Sequence, residues 1–248
     1  MKNDRIQRLL AAALAVAVWQ IASMAVGSRL LLASPVQVVV RLAALVPTAA
    51  FWQTVLFSLL RIAGGFLLAL LSATVLALAA GRLRIIEILL QPYVLAIKSV
   101  PVASFIILAL IWLKTAQLSL FISFLMVFPL LYTNILAGIK SADGALLEMA
   151  QVYGFGPLGT LRHVVIPSVL PAFTQSCQAA IGLCWKAVVA AEVIGVPRLA
   201  VGSRLYEAKI YLETDSLLAW TLTIVLLSVL LEALLRSAAR RFAEVRHD

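Results

Sequence analysis

The chain has 248 residues, of which 63% are hydrophobic, and its mean hydropathy is +1.06. An apolar content this far above the roughly 45–50% of soluble domains excludes a soluble globular protein and points to an integral membrane protein. The net charge of +9 does not indicate a nucleic-acid partner, because Lys and Arg sit at the ends of apolar runs and not in a patch interleaved with aromatics. The apolar runs recur at lengths suited to about 30 Å of hydrocarbon, where only a structure that pairs all its own backbone groups is tolerated, so the expected fold is an all-α, polytopic bundle.

In chain order, apolar spans are predicted over 9–26, 54–80, 88–112, 117–139, 168–194 and 216–235, about six transmembrane helices. The first follows basic residues and resembles a signal peptide at its start, but its core exceeds the ~7–15 residues of such a segment, and it is read as a retained helix. The third contains Pro92, Lys98 and Pro101, which predicts kinked or partly interfacial geometry. Between spans, 28–53 and 195–215 are the two longest outside segments, each either a contact for an external partner or a simple connection. No internal repeat or low-complexity tract is evident.

Charge sets the orientation. With six spans and a cytoplasmic N-terminus, Lys2, Arg5, Arg8, Arg82, Arg84, Lys140, Arg162, Arg236, Arg240, Arg241 and Arg246 lie inside, eleven against six outside; if the third run does not cross, the balance becomes ten against eight. Six crossings are favoured, which places both termini and the segment 143–167 in the cytoplasm. The expected division is an N-terminal helix and external loop over 1–53, a transmembrane domain over 54–236 and a tail over 237–248.

The segment 143–167 is unusually punctuated. Asp143 is a good N-cap for a helix through "GALLEMAQVY". Gly154 suits the left-handed end of that helix, and Gly156-Pro157 supplies the start of a second one. Pro167 is expected to stop that second helix before the next span. The predicted result is a helical elbow projecting from the membrane, a shape suited to docking.

The stretch "EMAQVYGFGPLGTLRHVVIP" over 148–167 resembles the EAA loop of the inner-membrane permeases of ATP-binding-cassette importers, whose pattern is E-A-A-x-x-x-G, nine residues, I-x-L-P. The spacing agrees throughout, with Met149, Val164 and Ile166 replacing Ala, Ile and Leu. The segments "IKSVPVASFIILALIWL" (97–113), "FPLLYTNILAGIKSADGALLEMA" (128–150) and "GLCWKAVVAAEVIG" (182–195) are similar to the nitrate/sulfonate/taurine branch. The resemblance covers roughly 54–236.

That resemblance implies a type I importer permease in a bacterial inner membrane. It implies a homodimer, a coupling-helix elbow seated in two cytoplasmic ATPase subunits, and an external binding protein that delivers a small solute. The solute would be an aliphatic sulfonate, taurine or nitrate, or, alternatively, a vitamin or heteroaromatic precursor. Glu148, Ala150, Gly154, Pro157 and Pro167 are the residues it assigns to ATPase docking; the less favoured alternative is that Glu148 is a solvated helix charge and Gly154 a routine helix end. The chain contains no G-x-x-x-x-G-K-[ST] loop, so the ATPase is expected in another chain and this one is not expected to be an enzyme.

Ionisable groups at membrane depth are costly and are read first as pathway residues. Lys186 and Glu192 lie in the fifth span, about 120° apart around the helix and some 9 Å along it, so they are not expected to pair. Lys186, with Lys98, either offers positive charge to an anionic substrate along a translocation path, or snorkels to an interface or pairs with a neighbouring helix. Glu192, near the outer end, either lies at an interface or lines a gate, or has no such role. Arg61 is expected to snorkel from the second span, and the tryptophans to fall mostly near span ends as an aromatic belt. Cys177 and Cys184 are about 10 Å apart along one helix, too far for a disulfide. His163 and His247 lack companions for a metal site, no G-x-S-x-G elbow is present, and no cofactor is expected. The rival classes are a secondary transporter, which would want paired intramembrane carboxylates or matching broken helices, and a membrane scaffold.

Overall fold

Ala69, Ala73, Ala77 and Ala80 recur on one face of helix α3 (Ala49–Arg82), and all four are buried. Small side chains let helix backbones approach closely, which is the main source of helix association where lipid is as apolar as leucine. Gly65 on the same helix shows the limit of that approach, since a Cβ there would collide with Leu120 and Ser123 of helix α6 (Thr115–Lys140). The opposite face of α3, carrying Leu56, Leu60, Leu67, Leu71 and Val75, is exposed, as lipid-facing positions should be. Helices α3 and α6 pack with helix α9 (Ile166–Gly195) to form the central core, which includes Val127, Leu131, Tyr132, Ile135, Ala180, Cys184 and Val188.

The structure is a computed structural model and describes residues 2–28 and 30–244. Around the core lie α1 (Lys2–Val26), α2 (Pro35–Leu45), α4 (Arg84–Ser99), α5 (Val102–Ala109), α7 (Gly144–Val152), α8 (Pro157–Thr160), α10 (Val201–Ile210) and α11 (Thr214–Glu244); among the described residues there is no strand. Four stretches are long and apolar enough to cross a membrane: Ala49–Arg82, Thr115–Lys140, Pro157–Gly195 and Thr214–Leu234. The bent pair α4 and α5 can add a fifth, and the apolar part of α1, Leu10–Val26, is shorter. The last residues of the expected tail, 245–248, and Arg29 lie outside the described residues.

The kink expected in the run over 88–112 is present: α4 and α5 meet at 103°. Pro101 lacks the N–H that would continue α4 and bars the helical conformation at Val100, which is extended at φ −86°, ψ 132°. The segments 28–53 and 195–215, expected outside as partner contacts or connections, are largely helical, containing α2, capped by reciprocal bonds between Ser34 and Gln37, and α10.

Pro167 does not stop a helix. The chain runs from Pro157 to Gly195 without a break, through a π-turn at Leu161–Val165 in which the Ile166 N–H donates to the Leu161 carbonyl. The wider turn takes up the register shift that a proline missing its donor imposes, so the helix passes through it.

Two tryptophans also leave the belt. Trp185 is buried and donates to the Ile224 carbonyl at 3.2 Å, joining α9 to α11, and Trp220 stacks on Phe51 at 5.0 Å. Trp52 and Trp112 are exposed, as belt residues are. Cys177 and Cys184 are free thiols; the Cys184 sulfur lies 3.0 Å from Ser123 Oγ.

Candidate functional site

The elbow forms from local signals. Asp143 caps α7 by accepting from the Ala145 N–H at 2.9 Å. Gly154 takes φ +71°, a conformation that costs other L residues, and the helix closes with two bonds: Phe155 N–H to Ala150 carbonyl at 2.9 Å and Gly154 N–H to Gln151 carbonyl at 3.0 Å. Gly156 and Pro157 then start α8, the proline standing where no N–H is needed. Phe155 folds back over Gly159 and rests 5.5 Å from the His163 ring, whose Nδ1 donates to the Gly159 carbonyl at 3.0 Å. His163 thus serves the elbow's own geometry.

The structure brings Glu148, Gly154 and Pro157 onto one projecting unit, with Glu148 exposed and Ala150 buried beneath it at 2% exposure. The tip is apolar and uncovered: Val152, Tyr153 and Leu158 are 84%, 74% and 78% exposed. Beneath the elbow a cavity of about 610 Å³ separates Leu147, Gln151 and Phe155 from Leu78 and Arg82 of α3 and Ile139 of α6. Behind the elbow, Lys140 at the end of α6 pairs with Glu87 of α4 at 2.6 Å.

Lys98, Lys186 and Glu192 are not brought together. Lys98, at the C-terminal end of α4, donates to Thr133 Oγ1 of α6 at 3.0 Å. Lys186 is exposed on α9 and lines a cavity shared with α11.

Glu192 lines no gate surface: it is fully buried, at 0% exposure. Ser58 of α3 donates to both of its oxygens at 2.9 Å, Ser119 of α6 to Oε1 at 3.3 Å, and the Gly202 N–H to Oε2 at 3.1 Å. Ser58 Oγ also accepts from the Val201 N–H at 3.0 Å. A buried carboxylate is tolerated when it is fully hydrogen-bonded. Here it joins three spans and holds the first turn of α10, whose unpaired N–H groups and positive dipole end favour an anion.

Gly202 sits against the Glu192 Cβ, so the first turn of α10 can approach only because no side chain is there. Arg61, expected to snorkel, instead donates to the Arg198 and Leu199 carbonyls at 3.0 and 3.3 Å, fastening the loop before α10. Ser58, Ser119 and Gly202 carry no signal in the sequence that separates them from other small residues; their proximity to Glu192 arises from packing.

No group of three His, Cys, Asp or Glu side chains gathers in metal-binding geometry among the described residues.

The chain was compared with known proteins. A family model described as "Binding-protein-dependent transport system inner membrane component" matches residues 65–244. The chain is 29% identical over 229 residues to TauC, the taurine transport system permease protein of Escherichia coli (strain K12), covering 90% of this chain and 83% of that one. It is 31% identical over 229 residues to SsuC of the same strain, a protein named for transport of aliphatic sulfonates, covering 90% and 82%. A crystal structure of an amino acid ABC transporter with histidines superposes with a TM-score of 0.59 at 16% identity, over 76% of this chain and 90% of that one, a likeness of fold. The multi-pass membrane architecture, the EAA-like elbow and these matches agree, and the chain belongs to the family of inner membrane components of binding-protein-dependent transport systems.

Proposed function

We propose that this permease is the membrane-spanning subunit of an ATP-driven importer of small alkanesulfonates such as taurine. The observation that carries the reading is the elbow over 143–167, a rigid helical unit outside the core whose tip presents Val152, Tyr153 and Leu158 uncovered. An apolar tip flanked by Glu148 is costly to leave in water and suits the cleft of a soluble partner. In this reading Glu148, Ala150, Gly154 and Pro157 build the docking surface on two cytoplasmic ATPase subunits, which hydrolyse the nucleotide. Pro167 joins the elbow to α9 through the π-turn, so motion of the elbow is passed to a core span. The sulfonate class is supported by the names of TauC and SsuC.

The same proposal includes a second copy of the chain, an external binding protein that presents the solute, both termini in the cytoplasm, and the division into 1–53, 54–236 and 237–248. A single copy provides one wall of a path, and closed two-fold association is the commonest way to complete one. The test is co-purification with the cognate ATPase followed by uptake of radiolabelled taurine into vesicles. Uptake that needs ATP, the ATPase and the binding protein supports the reading. Uptake that continues without ATP or the ATPase overturns it in favour of a secondary transporter.

A further inference from the structure

Lys186 of α9 and Glu232 of α11 place opposite charges on the wall of one cavity of about 550 Å³, inside the membrane-spanning stretches Pro157–Gly195 and Thr214–Leu234. Gln175, Gln178, Gly182 and Lys186 share a face of α9, spaced at three and four residues. Gly182 stands where a Cβ would come 3.2 Å from Glu232 Oε1, so that carboxylate lies over the helix one turn from Lys186. Among the described residues, Lys186 and Glu232 form no ion pair with each other. Lys186 and Gln175 are exposed. Charged and amide side chains exposed at this depth do not face hydrocarbon; such groups mark a solute path.

We propose that this cavity is a substrate site for a short zwitterion, an aminoalkanesulfonate carrying its ammonium and its sulfonate a few bonds apart. The inference rests on the importer reading above and narrows its substrate. Lys186 takes the sulfonate and Glu232 the ammonium, while Gln175 and Gln178 supply donors and acceptors to the remaining oxygens and N–H groups. The pairing discriminates: a simple alkanesulfonate leaves the Glu232 carboxylate facing an apolar end, and a simple amine leaves Lys186 without an anion. Specificity then comes from the charge left uncompensated by the wrong solute. Gly182 keeps the space beneath Glu232 open; a side chain there would close it.

The test uses the complete transporter in membrane vesicles, with Ala179→Cys introduced on the cavity wall in a Cys177→Ala background. Labelling of that cysteine by a charged thiol reagent is followed with taurine, ethanesulfonate or ethylamine added in turn. Taurine is expected to slow labelling at a lower concentration than the other two. Lys186→Met and Glu232→Gln are each expected to raise the taurine concentration for half-protection about tenfold. Glu232→Gln is also expected to erase the preference for taurine over ethanesulfonate, and Glu232→Asp to restore part of it.

Protection by all three solutes alike, protection by none, or a cysteine unreactive even without solute because another chain covers this face, overturns the site. These outcomes are read with Lys186 and Glu232 intact, so they stand even if the charge variants fail to assemble. Taurine uptake by the unmodified transporter without protection removes the site and leaves the importer reading. Protection without ATP-dependent uptake leaves the site and removes that reading.

Discussion

The hydroxyl of Ser58 donates to both carboxylate oxygens of Glu192 at 2.9 Å while accepting from the Val201 N–H at 3.0 Å. One serine on α3 thus links the end of α9 to the start of α10. Glu192→Ala removes the acceptor of two buried hydroxyls and the Gly202 N–H, and is expected to lower stability by about 3 kcal/mol. Glu192→Gln keeps the volume and can turn its oxygen to Gly202 and its NH2 to Ser119, so it should cost about 1 kcal/mol. Thermal unfolding of the purified protein in detergent measures both. Combining Ser58→Ala with Glu192→Ala should cost less than the sum of the two alone, since the pair shares one interaction. Equal losses for Ala and Gln at position 192 would show that the bonding described for the carboxylate is not what stabilises this end of the bundle.

Gly154 makes a different kind of prediction, because a Cβ there would meet nothing within 4 Å. Any penalty on substitution is therefore one of backbone and not of space. Gly154→Val is expected to strain the φ of +71° by about 1–2 kcal/mol, open the elbow and weaken retention of the ATPase in a pull-down, with the spans still inserted. Gly154→Asn, which tolerates the left-handed region, should retain most of the association. If Val and Asn hold the ATPase equally well, the turn is not what presents the docking surface.

The 103° bend between α4 and α5 decides the topology of everything after it. The six-span reading puts Leu83 inside and Lys114 outside, and both are exposed in the structure. Leu83→Cys and Lys114→Cys, each in a Cys177→Ala background, are expected to react with an impermeant thiol reagent from opposite faces of the membrane. Labelling from the same face would make α4 and α5 a re-entrant pair and turn the orientation of α6 to α11 over.

What could be read along the chain is what depends on near neighbours. The helix cap at Asp143, the left-handed turn at Gly154 and the start at Pro157 are each set by the residue itself and a few bonds around it, and all three stand in the structure as the spacing predicts. The apolar runs are equally local, because every turn of a spanning helix must itself be compatible with lipid. Pro167 and Pro101 mark the boundary of such reasoning. The same missing N–H bends the chain at one and is absorbed by a π-turn at the other, since the outcome rests on what packs against the adjoining turn.

An all-α, multi-pass membrane protein with a helical elbow over 143–167 is legible along the chain, because hydrophobic length and capping are properties of contiguous residues. The fate of its buried polar groups is set instead by packing between helices distant in the chain. The role of Glu192 stays open in the sequence until Ser58, Ser119 and Gly202 arrive from 134, 73 and 10 residues away to satisfy it. Lys186 has no named neighbour on another helix until α11 brings Glu232 to the same cavity. Glu232 carried a signal, an acid within an apolar run, but its meaning came from a helix packed beside it. In a low-dielectric interior the cost of a charge is set by its partners, and partners distant in the chain are chosen by packing.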